Sequence, residues 1–198
     1  MLAGKTVLLC VSGSIAAYKI AYLASALKKL KADVHVLMTR NATNFINPIT
    51  FETLTGNKCL VDTFDRNFQF NIAHVSLASR ADVMLVAPAS ANIIAKMAFG
   101  IADDMLSTTA LAMTCPVIVS PAMNVNMFHN PVVQDNLIRL SRYGKIIIPP
   151  ENGYLACGTT GDGKMPSEDV LFDYIVRQIA CEKDLTGRKI LVTAGPTR

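Results

Sequence analysis

Five short stretches carry side chains that could do chemistry. Ser120 to Pro131 reads Ser-Pro-Ala-Met-Asn-Val-Asn-Met-Phe-His-Asn-Pro. It follows the apolar run Pro116 to Val119, so a proline-led loop carries the neutral amide of Asn124 out of the end of a strand. Ser12-Gly13-Ser14 joins the apolar run Thr6 to Val11 to a stretch of helical spacing. A strand, a turn and a helix N-terminus can bind a phosphate through unpaired N–H groups and the helix dipole, with the hydroxyls of Ser14 and Thr39 as further donors. The same residues also fit a plain tight turn in which Ser14 is only an N-cap. Pro88-Ala89-Ser90-Ala91-Asn92 again delivers a hydroxyl and an amide from a strand to a helix start. His74 lies near the start of a helical stretch, where a surface or capping position competes with an acid–base role. Cys157 lies within Glu151 to Ser167, which holds four glycines. Core packing explains a cysteine there poorly, and long loops of this kind in compact domains are usually lids or disordered segments.

Apolar periodicity supplies the elements that must position these groups. Thr6 to Val11 and Val34 to Met38 read as strands. Between them, apolar residues recur at Ala16, Ile20, Leu23, Ala24, Leu27 and Leu30, a helical spacing. This is a βαβ unit with parallel strands and a right-handed crossover. Pro48 to Leu54 reads as a helix stopped by Gly56, Cys59 to Phe64 as a strand, Arg66 to Phe70 as a loop, and Asn71 to Leu77 as a helix. Val83 to Ala87 is a strand, followed by a helix from Ile93 to Phe99 and another that Ala102-Asp103-Asp104 starts and that runs to about Met113. Val117 to Val119 is the strand before the Asn124 loop. Pro131 to Tyr143 is a helix, Lys145 to Ile148 a strand, and Glu168 to Ala180 a helix. Ile190 to Thr193 is expected to begin a further strand. In an open α/β sheet, ligands sit beyond the carboxyl ends of the strands, so the stretches that follow strands should converge there.

Composition narrows the function classes. The 198 residues are 51% hydrophobic and 17% charged with a net charge of +4, which marks a globular chain with a large core. No basic stripe with interleaved aromatics is present, so nucleic-acid binding is not expected. No apolar run approaches about 18 residues, so no membrane span is expected. Met1 to Lys5 lead straight into a strand, and no signal peptide is expected. The five cysteines include no C-x-x-C pair, which argues for a reducing, cytoplasmic setting and against a disulfide framework or a zinc site. A dinucleotide fingerprint is also disfavoured: only Gly13 of G-x-G-x-x-G is present, and Thr39 and Arg40 stand where an acidic residue belongs.

Taken together, the motifs resemble those of the homo-oligomeric flavin-containing cysteine decarboxylases. Gly13 to Lys19 is similar to that family's flavin-phosphate turn. Pro88 to Asn92 matches its PASANT motif, with Ile93 in place of threonine. Pro121 to Met127 matches its P-x-M-N-x-x-M-W motif, with Phe128 in place of tryptophan. Leu155-Ala156-Cys157-Gly158, followed by Lys164-Met165, resembles its substrate-recognition clamp, with Lys164 where arginine is common. The ending from Leu185 resembles the start of a phosphopantothenate–cysteine ligase domain.

The resemblance implies a three-layer, Rossmann-like (flavodoxin-like) α/β fold, a parallel sheet with helices on both faces. It implies an FMN-binding decarboxylase domain over 1–182, with a linker and the first strand of a ligase domain over 183–198. The oligomer would be a trimer, or trimers assembled into a dodecamer. The implied reaction converts 4′-phosphopantothenoylcysteine to 4′-phosphopantetheine and CO2, with no metal. Gly13, Ser14, Ile15, Thr39, Ser90, Ala91, Asn92 and Ala122 would contact FMN, and Asn124, Leu155, Ala156 and Cys157 the substrate. Met123 would pack beneath the site.

In the implied mechanism, flavin takes a hydride from the carbon bearing sulfur, and the resulting C=S group accepts the electrons released as CO2 leaves. Asn124 would hold the carboxylate, Cys157 would protonate the enethiolate, and His74 would act as a base or orient the substrate. Three neighbouring activities compete: a peptidyl-cysteine decarboxylase, a non-enzymatic regulatory flavoprotein and a flavin prenyltransferase. The ligase-like ending speaks against the first. The presence of both Asn124 and Cys157 speaks against the second, and the likeness of those two motifs to the decarboxylases against the third.

Overall fold

The computed structural model describes residues 2–63, 73–156, 158–181, 184–193 and 195, with the backbone alone at 73 and 74. Five strands form one parallel sheet: β1 (Thr6–Val11), β2 (Asp33–Met38), β3 (Val83–Ala89), β4 (Val117–Pro121) and β5 (Ile146–Ile147). Their order is β2-β1-β3-β4-β5, the flavodoxin-like arrangement, whose switch point lies between β1 and β3.

β1, β3 and β4 are buried along their whole length. A parallel strand covered on both faces reads as a continuous apolar run rather than an alternating one. The alternation reappears in the packing. Val7, Leu9 and Val11 face one layer, with α1 (Ala17–Lys29), α2 (Pro48–Thr55) and α8 (Glu168–Ile179). Leu8 and Cys10 face the other, with α3 (Ala73–Arg80), α4 (Ala91–Phe99), α5 (Met105–Ala112) and α7 (Pro131–Arg142).

Local chemistry sets the helix ends. Asn47 caps α2, whose first residue is Pro48, and Gly56 closes it in the left-handed region. Ser90 caps α4 and Gly100 closes it. Asp104 and Ser107 form a reciprocal capping box at α5, which satisfies two orphan helix donors.

Several expectations are corrected. Cys59 to Phe64 is not a strand among its described residues. Leu60 alone bridges Leu37 at the edge of the sheet, accepting from Met38 N–H and donating to the Val36 carbonyl, and Phe64 lies outside the described residues, as do the Arg66–Phe70 loop and Asn71 and Ile72. Glu151 to Ser167 is not structureless. It forms an antiparallel hairpin, β6 (Glu151–Tyr154) with β7 (Thr160–Lys164). Apolar periodicity reports packing on a core, and this hairpin lies on a loop, so its backbone pairing left no such signal. The loop after β4 contains a short helix, α6 (Val125–Phe128), capped by Asn124. Ile190 to Thr193 form no strand; Leu191 is 89% exposed, and a strand needs a neighbour to take up its N–H and C=O groups.

Leu85 lies on the central strand β3 and is fully buried. Leu85→Ala should destabilise the fold by about 2–5 kcal/mol, read as a lower urea midpoint at an unchanged slope.

Candidate active site

One chain of hydrogen bonds ties the strand ends together. Buried Ser12, just past β1, donates its hydroxyl to the Pro88 carbonyl at 2.7 Å and accepts from Ser90 N–H at 2.9 Å. Ser12 N–H also donates to the Pro88 carbonyl, at 3.3 Å. Ala122 N–H, past β4, donates to the Ala89 carbonyl at 3.0 Å, and Met123 N–H donates to the Gly163 carbonyl of the hairpin at 3.1 Å. The glycine turn, the Pro88–Asn92 stretch, the Asn124 loop and the hairpin are thereby held at one edge of the sheet. Ser12 lacks any pattern beyond being a small polar residue after an apolar run, which reads only as turn.

Two glycines make close approach possible. A Cβ on Gly13 would lie 2.9 Å from the Asn41 Cβ, so the turn after β1 rests directly on the short 3-10 helix Arg40–Asn44 after β2. Gly163 has φ +127, and a Cβ there would overlap the Met123 carbonyl oxygen. The hairpin can sit on the Asn124 loop only with glycine at that position.

The expected site residues border two cavities that meet at the Gly13–Ser14 turn. The larger, about 990 Å³, is lined by Gly13, Thr39, Ser90, Ala91 and Asn92, together with Lys96, which carries no sequence signal, and Asp103 and Asp104, which the sequence marks only as a helix start. The smaller, about 410 Å³, is lined by Ser14, Ile15, Ala122, Asn124, Leu155 and Ala156, and by Lys19 and Lys164. The expected flavin contacts are therefore divided between the two, and the described substrate contacts share the smaller one. Met123 packs partly buried against the core on the α4 side. Cys157 lies outside the described residues. The backbone of His74 stands in the first turn of α3, and its side chain lies outside them.

The donor set suits a phosphate and a polar aromatic ring. Ser14 Oγ accepts from Ala16 N–H, Thr39 Oγ1 from Ala42 N–H, and Ser90 Oγ from Ile93 N–H. A hydroxyl that accepts from its own backbone keeps its O–H to donate to a ligand. The N–H groups of Ser14 and Ile15 take no partner among the described residues. At the end of β4 the buried Ser120 hydroxyl also has no partner among them. Asn124 Oδ1 accepts from Asn126 N–H at 2.9 Å, which caps α6 and fixes the side-chain amide's orientation.

The described cysteines lie outside both cavities. Burial pushes the Cys59 thiol up to about 12 and the Cys115 thiol up to about 11, and holds Cys10 well above its ordinary value. These thiols stay protonated at neutral pH. Burial alone would raise the Asp104 carboxyl, but hydrogen bonds from Lys96 and Ser107 outweigh it and hold the group below the usual range.

Residues 1–180 match the family described as Flavoprotein. The chain is 44% identical over 200 residues to the coenzyme A biosynthesis bifunctional protein CoaBC of Bacillus subtilis, covering 100% of this chain and 49% of that protein. It is 40% identical over 197 residues to the CoaBC protein of Escherichia coli, covering 100% of this chain and 48% of that one. The chain thus spans about half the length of the curated relatives it matches. Among solved structures it resembles a PPC decarboxylase mutant complexed with pantothenoylaminoethenethiol, with TM-score 0.76 and 29% identity, covering 86% of this chain and 96% of that one. It also resembles the FMN binding protein AtHal3, with TM-score 0.76 and 28% identity, covering 89% and 97%.

Ser12→Ala would leave the Ser90 N–H without its acceptor. It should cost about 1–3 kcal/mol and raise amide exchange over Pro88 to Asn92 more than at α8, measured by hydrogen–deuterium exchange.

Proposed function

The chain belongs to the Flavoprotein family, and from that membership we propose that it binds FMN and decarboxylates 4′-phosphopantothenoylcysteine to 4′-phosphopantetheine, a step of coenzyme A biosynthesis. The observation that carries this reading is the hydrogen-bonded series from Ser12 through Ser90, Ala122 and Gly163. It assembles phosphate donors, a neutral amide and the hairpin at one sheet edge, in a chain similar to PPC decarboxylase and CoaBC proteins.

The Gly13–Ser14–Ile15 turn and the hydroxyls of Thr39 and Ser90 would hold FMN through its phosphate, with Ala91, Asn92 and Ala122 as its further contacts. FMN when bound supplies reversible two-electron oxidation at the substrate's sulfur-bearing carbon, which gives the electrons released with CO2 a place to go.

This chain's own residues do the rest. A carboxylate accepts hydrogen bonds, so the NH2 end of Asn124 is the end that suits it. A neutral donor binds the ground-state anion less strongly than arginine would. Less stabilisation is then lost as the charge leaves the carboxylate. Leu155 and Ala156, which line the smaller cavity with Asn124, would contact the substrate there. Cys157 donates the proton to the substrate's enethiolate carbon; a thiol of ordinary pKa near roughly 8.5 is mostly protonated at neutral pH. His74 takes the thiol proton or orients the substrate, tasks that an imidazole can perform near neutral pH.

In this reading residues 1–182 form the decarboxylase domain, and 183–198 lead into a phosphopantothenate–cysteine ligase. The protein works in the cytoplasm as a homo-oligomer, a trimer or trimers assembled into a dodecamer.

The test is anaerobic turnover of 4′-phosphopantothenoylcysteine by the FMN-loaded chain, followed by mass spectrometry. The parent should form 4′-phosphopantetheine and CO2. Asn124→Ala should lower kcat/KM about 10²- to 10³-fold, as removal of one oriented donor does elsewhere. Cys157→Ser should accumulate the oxidised enethiol product. An FMN-loaded, intact oligomer that never turns over would overturn the enzyme reading in favour of a regulatory flavoprotein.

A further inference from the structure

The larger cavity holds a charge cluster that the decarboxylation steps do not use. Lys96, on α4, places Nζ 2.6 Å from Asp103 and 2.8 Å from Asp104, and its side chain is only 17% exposed. Asp104 is itself fixed as the cap of α5, so the lysine cannot swing away without giving up both carboxylates. The cavity's other charged lining residues, Arg40 and Asp62, pair with each other at 3.1 Å. Two cations (Arg40, Lys96) against three carboxylates (Asp62, Asp103, Asp104) leave the described wall at a net charge of −1. No cation there is left over for an anionic ligand, so such a ligand depends on N–H and O–H donors. Any negative charge gained by a flavin on reduction meets a wall that is already slightly negative.

We infer that Lys96 is a positioning residue for the cofactor's redox balance: by neutralising Asp103 and Asp104 in the wall of the larger cavity, it keeps bound FMN readily reducible. This rests on the reading that FMN occupies this edge of the sheet. Burial would lower the Lys96 pKa, but its two carboxylate partners hold it above the ordinary lysine value, so the charge is present throughout the working pH range. Asp103, 58% exposed, opposes the effect and is the carboxylate that can be neutralised with least harm to the fold.

The test is a potentiometric titration of FMN bound to the chain and its variants, with FMN affinity measured first by fluorescence quenching. Lys96→Met should weaken reduced FMN relative to oxidised FMN by about tenfold, which lowers a two-electron midpoint by about 30 mV. Lys96→Arg should keep the parent potential. Asp103→Asn should raise it. Combining Lys96→Met with Asp103→Asn, which restores the parent net charge of the wall, should return it toward the parent, which a merely structural brace between α4 and α5 would not do. A parent potential in folded Asp103→Asn, or in folded Lys96→Met, overturns the inference. A parent chain that binds no FMN instead overturns the cofactor reading on which it rests.

Discussion

Buried backbone groups at the end of a parallel sheet must find partners, and in this protein they find them in one another. Ser12 is the pivot. Its buried hydroxyl donates to the Pro88 carbonyl and accepts from the Ser90 N–H. From there the pairing passes to Ala122 and on to the hairpin through Met123 and Gly163. Each loop is therefore placed by the backbone of its neighbour rather than by its own packing. Gly13 and Gly163 are the positions where that closeness forbids a side chain.

This construction explains the electrostatic character of the site. In the larger cavity anion-binding capacity lies in N–H groups and hydroxyls, not in an excess of cations, while Lys19 and Lys164 line the smaller one. Dipoles fixed by the fold cost no reorganisation when charge moves during a reaction. A site that must release an anionic group as CO2 gains from weak, well-oriented donors. It loses from a strong counter-ion that favours the starting carboxylate. The lysine at the cavity wall fits the same scheme, because its charge is spent on two neighbouring carboxylates.

The layout of the sheet was largely legible in the sequence. Continuous apolar runs marked β1, β3 and β4, and the spacing from Ile20 to Leu27 marked α1, because burial on both faces or along one stripe dictates those patterns. The glycine turn, Pro88–Asn92 and the Asn124 loop stood out as small polar stretches following strands. The hairpin was hidden, since Asn152, Gly153, Gly161 and Gly163 pair through backbone over a loop and need no apolar alternation. Leu60 meets the sheet at a single residue, too little to make the described part of Cys59 to Phe64 a strand. Ser12 and Lys96 were hidden for another reason. Their roles depend on partners 76 to 78 and 7 to 8 residues away, and no local pattern records such a pairing.

The most direct test of the account is a comparison of FMN and riboflavin binding to this chain by fluorescence titration. If the strand-end donors hold a flavin by its phosphate, FMN should bind at least about 100-fold more tightly than riboflavin, a difference of about 2.7 kcal/mol. Equal affinities, or no binding of either flavin, would contradict it.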